Sequence, residues 1–188
     1  MSKSEIKTGL LIGTLIILAA VSRLVDHPMN FTPMTAILLF STAYISNKWL
    51  KLVFPFATIL FTDIVLESVT GYGFHSGSAV VYLGYALIFA VGYILLEKVN
   101  FGRTLVAIVL SSTVFFLLTN FAFFYTESVT PNPAVGSYPH NMTGILASYQ
   151  AGLPFFKNML VGDLAFTSII FAIYYAVKHF GLFEEAKN

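Results

Sequence analysis

Five long apolar stretches and one shorter one occupy most of this chain, and its basic residues fall almost entirely between them. That arrangement leaves few folds open, because a hydrocarbon layer is crossed only by elements that satisfy their own backbone hydrogen bonds. The composition agrees: 57% of residues are hydrophobic, 10% are charged and mean hydropathy is +0.80, whereas a soluble domain carries about 25% charged residues. The expected fold is an all-α integral membrane bundle, one transmembrane domain over residues 1–188. Its six spans are placed at about 6–22, 32–47, 49–67, 79–97, 104–124 and 154–177. The second is short and interrupted, opened by Pro33 and closed by Ser41, Thr42, Ser46 and Asn47, so part of it is expected to be irregular.

Orientation follows from the basic residues. Lys3, Lys7, Lys48, Lys51, Lys98, Arg103, Lys178 and Lys187 lie on alternate inter-helix segments, and only Arg23 and Lys157 fall on the others. Cytoplasmic loops retain Lys and Arg, so both termini are expected inside and segments 23–32, 68–78 and 125–153 outside. Met1–Val21 also has the form of a secretory signal peptide, with Lys3 and Lys7 as its basic region and Ala19 and Ala20 near its end; a retained first helix is the expectation.

Several classes of function find no support. A net charge of +1 and the lack of a Lys/Arg-rich run give no reason to expect a nucleic-acid partner. With no cysteine there is no disulfide, thiolate metal site or cysteine nucleophile. His27, His75, His140 and His179 match no metal-ligand spacing, and no metal or other cofactor is expected. The sequence contains no phosphate loop of the G-x-x-x-x-G-K-[ST] type, so any energy for transport must come from a partner or an ion gradient.

What remains is polar chemistry on the outer side. Asp63 and Glu67 lie one turn apart on the third span, and Asp163 lies near the middle of the sixth. A carboxylate at such depth costs several kcal/mol unless paired or wetted. Asp63 can serve a ligand or the fold equally, and Glu67 is read as an interface marker. Asp163 is read as a fold or conformational group that needs hydroxyl or amide partners on neighbouring helices. His75, in the glycine-punctuated loop Gly71–Gly77, and His140, after Tyr138-Pro139, are candidates for ligand contact. Asn120, Lys157 and Asn158, with Asn30 and Thr32, add amides and a cation to an outer pocket with aromatic walls, the usual make-up of a small-molecule site. Segment 126–152 is too polar for a span and too long for a simple connector, which suggests a lid.

The residues Asn30-Phe31-Thr32-Pro33, Gly73-Phe74-His75, Thr119-Asn120-Phe121, Tyr138-Pro139 with Gly144 and Tyr149, and Pro154-Phe155-Phe156-Lys157-Asn158 with Gly162-Asp163-Leu164 carry a resemblance. The chain resembles a family of small bacterial membrane proteins of uncharacterised function, itself similar to the substrate-binding S components of energy-coupling factor vitamin transporters. The resemblance spans about residues 20–175. It implies six helices, residence in the bacterial cytoplasmic membrane and an outward site for a vitamin-like small molecule, with Asn30, Asp63, His75, Asn120, Tyr138, His140, Tyr149, Lys157 and Asn158 as the binding set. It also implies a transmembrane coupling subunit with ATPases, docked through small residues of the first helix, here Gly9 and Gly13. The cobalt-coordinating cysteine of solitary cobalamin-binding relatives has no counterpart here, and His75 is the side chain that could replace it. A membrane enzyme using Asp63, His75, His140 and Asp163 is the alternative, although no nucleophile or metal motif accompanies those groups. A ligand-free scaffold subunit, whose pocket would be filled by side chains, is the other.

Overall fold

The computed structural model describes residues 3–180; Lys187 lies outside them. Six helices, α1 (Lys3–Ser22), α2 (Met34–Tyr44), α3 (Lys48–Thr70), α4 (Ser78–Leu95), α5 (Phe101–Thr119) and α6 (Met142–His179), form the bundle. Between α5 and α6 lies a small cap. It comprises two 3₁₀ turns (Ala122–Phe124 and Pro133–Val135) and a parallel pair of two-residue strands, β1 (Thr126–Glu127) and β2 (Ser137–Tyr138). Helices α3 to α6 are long and apolar enough to cross a membrane; α1 and α2 contain shorter apolar stretches.

Local chemistry sets the helix starts. Asn47 accepts from the amides of Trp49 and Leu50, Asn100 from that of Arg103 and Asn141 from that of Gly144. Each amide side chain thereby satisfies donors that a helix start leaves open. Asn141 also accounts for a correction to the sequence reading. The sixth helix does not begin at Pro154 but twelve residues earlier, and Pro154 is internal to a 38-residue helix. At about 1.5 Å per residue that helix runs about 57 Å, well beyond a hydrocarbon core of roughly 30 Å. Its first turns therefore rise beside the cap as part of the segment read as a lid.

The second correction concerns α2. It spans 11 residues, of which nine are buried, and it contacts each of the other five helices. A helix sheathed by protein has no need of bilayer length. Its exit is locked by an aromatic cluster in which Phe40 and Tyr44 meet Phe171 and Tyr174 of α6 at centroid distances of 4.0–5.5 Å. Residues 28–33, which lead into α2 and take in the first two positions of the expected second span, are irregular chain. Asn30 there adopts φ 62°, a left-handed conformation that asparagine tolerates better than most residues. Phe31 packs on Gly162, where an added Cβ would come within 3.2 Å of it, and its ring lies 5.4 Å from that of Phe166.

The two ends of the bundle differ in charge. Lys178 of α6 donates to Thr8 of α1 (3.3 Å), Lys51 of α3 lies over Tyr93 of α4 (5.7 Å), and Arg103 of α5 donates to the carbonyl of Leu95 (3.4 Å). These contacts place Lys51, Arg103 and Lys178, from three of the alternate segments, at one end. Arg23 and the cap lie at the other.

Candidate functional site

At the cap end the helices part around a cavity of about 1000 Å³. Four stretches bound it: the chain from Arg23 to Thr35, the end of α3 through the start of α4, the end of α5 with the cap, and one face of α6. On α6 the lining positions are Ser148, Ala151, Gly152, Phe155, Met159 and Asp163, spaced as one helical stripe.

Of the residues expected to bind a ligand, Asn30, His75, Asn120 and Tyr138 line this cavity together. Of the other five, four hold the surrounding walls and cap, and Lys157 does not. Asp63 is buried behind the cavity, where it forms an ion pair with Arg23 and accepts from the Tyr82 hydroxyl at 2.5 Å. His140 stacks on Phe123, with centroids 4.7 Å apart, and its Nε2 lies 3.1 Å from the Tyr125 carbonyl, which ties it to the cap. Tyr149 donates to the Leu117 carbonyl at 3.0 Å, and Asn158 donates to that of Met29 at 3.1 Å, tethering the irregular segment. Lys157 is exposed. It stands two residues from Phe155, about 200° around the helix from the lining stripe, so it does not join His75 and Asn120.

Arg23 is the residue that motif reading missed. It lines the cavity, reaches both Thr62 (3.2 Å) and Asp63, and its side chain is 15% exposed. The signal was present: an arginine out of place in the charge pattern and an intramembrane aspartate in need of a partner lie at the same end of the bundle. Glu67 also does more than mark an interface. Its Oε2 accepts from the amides of Gly73 and Phe74, both at 3.0 Å, folding the 71–77 loop back along α3. Gly73 is obligatory in that fold, because an added Cβ would fall 2.0 Å from the Asp63 carbonyl. In the same loop His75 Nδ1 accepts from the Gly77 amide at 3.0 Å.

The floor of the cavity is polar. Asp163, 1% exposed, accepts from Ser112 of α5 at 2.6 Å, and Thr35 of α2, which also lines the cavity, stands near it. Ser111 and Thr167 lie beside this group in sequence and one helical turn along it, and their wholly buried hydroxyls have no partner. Above the floor, Tyr85 stacks on Phe115 with centroids 5.5 Å apart. At the rim, Tyr125 donates to the Thr119 carbonyl at 2.9 Å and meets Tyr138 edge-on, and burial raises its phenol pKa. Among the described residues no three His, Asp or Glu side chains cluster as a metal site would require.

A helical bundle with four membrane-length apolar helices and a half-open polar and aromatic cavity at one end is the class of protein these features define. The chain belongs to DUF6580, a family of unknown function whose model matches residues 3–183. No curated protein and no solved structure matches it.

Proposed function

We propose that this protein is a multi-pass component of the bacterial cytoplasmic membrane that captures a small, vitamin-like molecule from the outside for uptake, in the manner of an energy-coupling factor S component. In this reading the bundle spans the membrane six times with both termini in the cytoplasm, and the cavity faces outward. The cavity itself carries the proposal: about 1000 Å³ lined by amides, hydroxyls and aromatic rings suits a ligand of vitamin size. A scaffold subunit would have filled that space with side chains. An enzyme is a weaker reading, because Asp63 is committed to Arg23 and Tyr82 while His140 is committed to the cap.

In this reading energy coupling falls to a transmembrane partner with ATPases, since the chain itself has no phosphate loop; an ion gradient is the other source the sequence leaves open. Gly9 and Gly13 fit such a contact in part. Nothing approaches within 4 Å of a Cβ at Gly9, whereas Gly13 already faces Phe54 of α3.

Native mass spectrometry of the detergent-solubilised protein tests the proposal. A small molecule is expected to co-purify with the wild type and to be lost from Ala151→Trp, which fills the cavity from α6, without loss of thermal stability. Wild-type protein free of any bound small molecule, with no ligand found in a metabolite screen, would count against it.

A further inference from the structure

The charges around the cavity do not balance, and the imbalance is at its floor. Arg23 is neutralised by Asp63. His27 Nδ1 lies 2.6 Å from the Val25 carbonyl in the exposed loop, His75 holds its own turn, and Lys157 is off the lining face. Asp163 lines the cavity but meets no Lys, Arg or His among the described residues; its hydrogen-bond partner is the Ser112 hydroxyl. A carboxylate offers about four acceptor sites, and that hydroxyl occupies one of them. The remaining capacity belongs to a group 1% exposed, at the bottom of a cavity large enough for a ligand.

A buried carboxylate without a counter-charge is costly, and a group that supplies one gains by the same amount. The walls suit the same chemistry. Tyr85 and Phe115 line the cavity as a stacked pair, and Phe155 lies two turns above Asp163 on its own helix; aromatic faces attract cations in a dry site. On the floor a negatively charged group would meet repulsion from Asp163, which has no cationic partner among the described residues.

We infer that Asp163 is the specificity-determining contact for a ligand bearing a protonated nitrogen, an ammonium, amidinium or ring N–H⁺, which enters nitrogen-first and rests on the floor at Asp163, near Thr35. This deepens the proposed uptake function and depends on it. It also changes the part assigned to Asp163 from the sequence, since the residue is held by the bundle and faces the cavity at once.

Three probes of similar shape and different charge test the assignment: tryptamine, indole-3-propionamide and indole-3-propionate, measured by equilibrium dialysis against the detergent-solubilised protein at neutral pH. Tryptamine should bind the wild type about tenfold or more tightly than the amide, and propionate should bind weakest. Asp163→Asn, which keeps the hydrogen-bonding shape, should lower tryptamine affinity about tenfold and leave that of the amide nearly unchanged. Equal binding of all three, a preference for propionate, tryptamine affinity undiminished in Asp163→Asn, or no tryptamine binding to the wild type would each overturn the inference. The charge order in the wild type stands as a test even if the variant fails to fold. If amide or propionate binds and Ala151→Trp abolishes that binding, small-molecule capture survives and only the charge assignment falls. If no probe binds and no ligand co-purifies, both fall.

Discussion

Arg23 and Asp63 show how one pair of residues can organise one side of a cavity. Their side chains are 15% and 4% exposed, so removing either charge strands the other in a poorly solvated place. Asp63→Leu alone is expected to cost about 3–5 kcal/mol, whereas an apolar replacement of the whole group can be nearly neutral. Because the Tyr82 hydroxyl donates to the same carboxylate, that replacement must include it. The triple variant Arg23→Met, Asp63→Leu, Tyr82→Phe should recover most of the thermal stability lost in Asp63→Leu, as measured by unfolding in detergent. Failure to recover would mean that the pair holds the loop by geometry that apolar packing cannot supply. A second residue-scale expectation concerns Thr167. Its buried hydroxyl has no partner, so the isosteric Thr167→Val should leave the melting temperature unchanged or higher, since an unmatched buried polar group costs about 1–3 kcal/mol. Neither feature was fully legible in the sequence. Asp63 stood out by its depth and Arg23 by its loop, but only the fold brings a residue after α1 against the outer half of α3.

Among the elements, α2 and α3 are joined by a device that hydropathy does not reveal. Pro55 lies inside α3 and has no amide hydrogen, so it leaves the carbonyl of Lys51, four residues earlier, without its helical donor. Ser41 of α2 supplies that donor, its hydroxyl 2.6 Å from the Lys51 carbonyl. Hydroxyl side chains commonly satisfy backbone groups freed by proline in membrane helices. Ser41→Ala should therefore destabilise the protein by about 1–3 kcal/mol, and by less in a Pro55→Ala background where the helix donates for itself. Equal losses in both backgrounds, read from a double-mutant cycle of detergent unfolding, would show that the hydroxyl serves something else. The sequence located all six helices because long apolar runs are a strong signal. It misjudged α6 because Pro154 looks like a helix start, while the true signal, the Asn141 cap, sits before a run of only mild apolar character. It noticed that α2 was short without the reason, since enclosure by five neighbours is a tertiary fact.

For the whole molecule, the decisive asymmetry is between a basic end and an end that holds the cavity and cap. The contacts of Lys51, Arg103 and Lys178 tie basic groups from different segments into one layer, while Arg23, the cationic side chain lining the cavity, is masked by Asp63. In the proposed function, retention of Lys and Arg in the cytoplasm orients the bundle with its cavity outward. The alternation was visible in the sequence, and so were four of the cavity residues, Asn30, His75, Asn120 and Tyr138. The aromatic and floor residues Tyr85, Phe115 and Thr35 were not, because inside an apolar helix nothing distinguishes a lining position from a packed or lipid-facing one. The chain has no native cysteine, so single introduced cysteines report orientation directly. Val129, 96% exposed in the cap, and Glu97, exposed in the turn between α4 and α5, mark opposite ends. In intact cells a membrane-impermeant maleimide should label Val129→Cys and spare Glu97→Cys, which should react only after the membrane is opened. The reverse pattern would turn the cavity toward the cytoplasm and exclude capture from outside, and labelling of both from outside would put an even number of crossings between positions that an outward-facing bundle separates by one, α5.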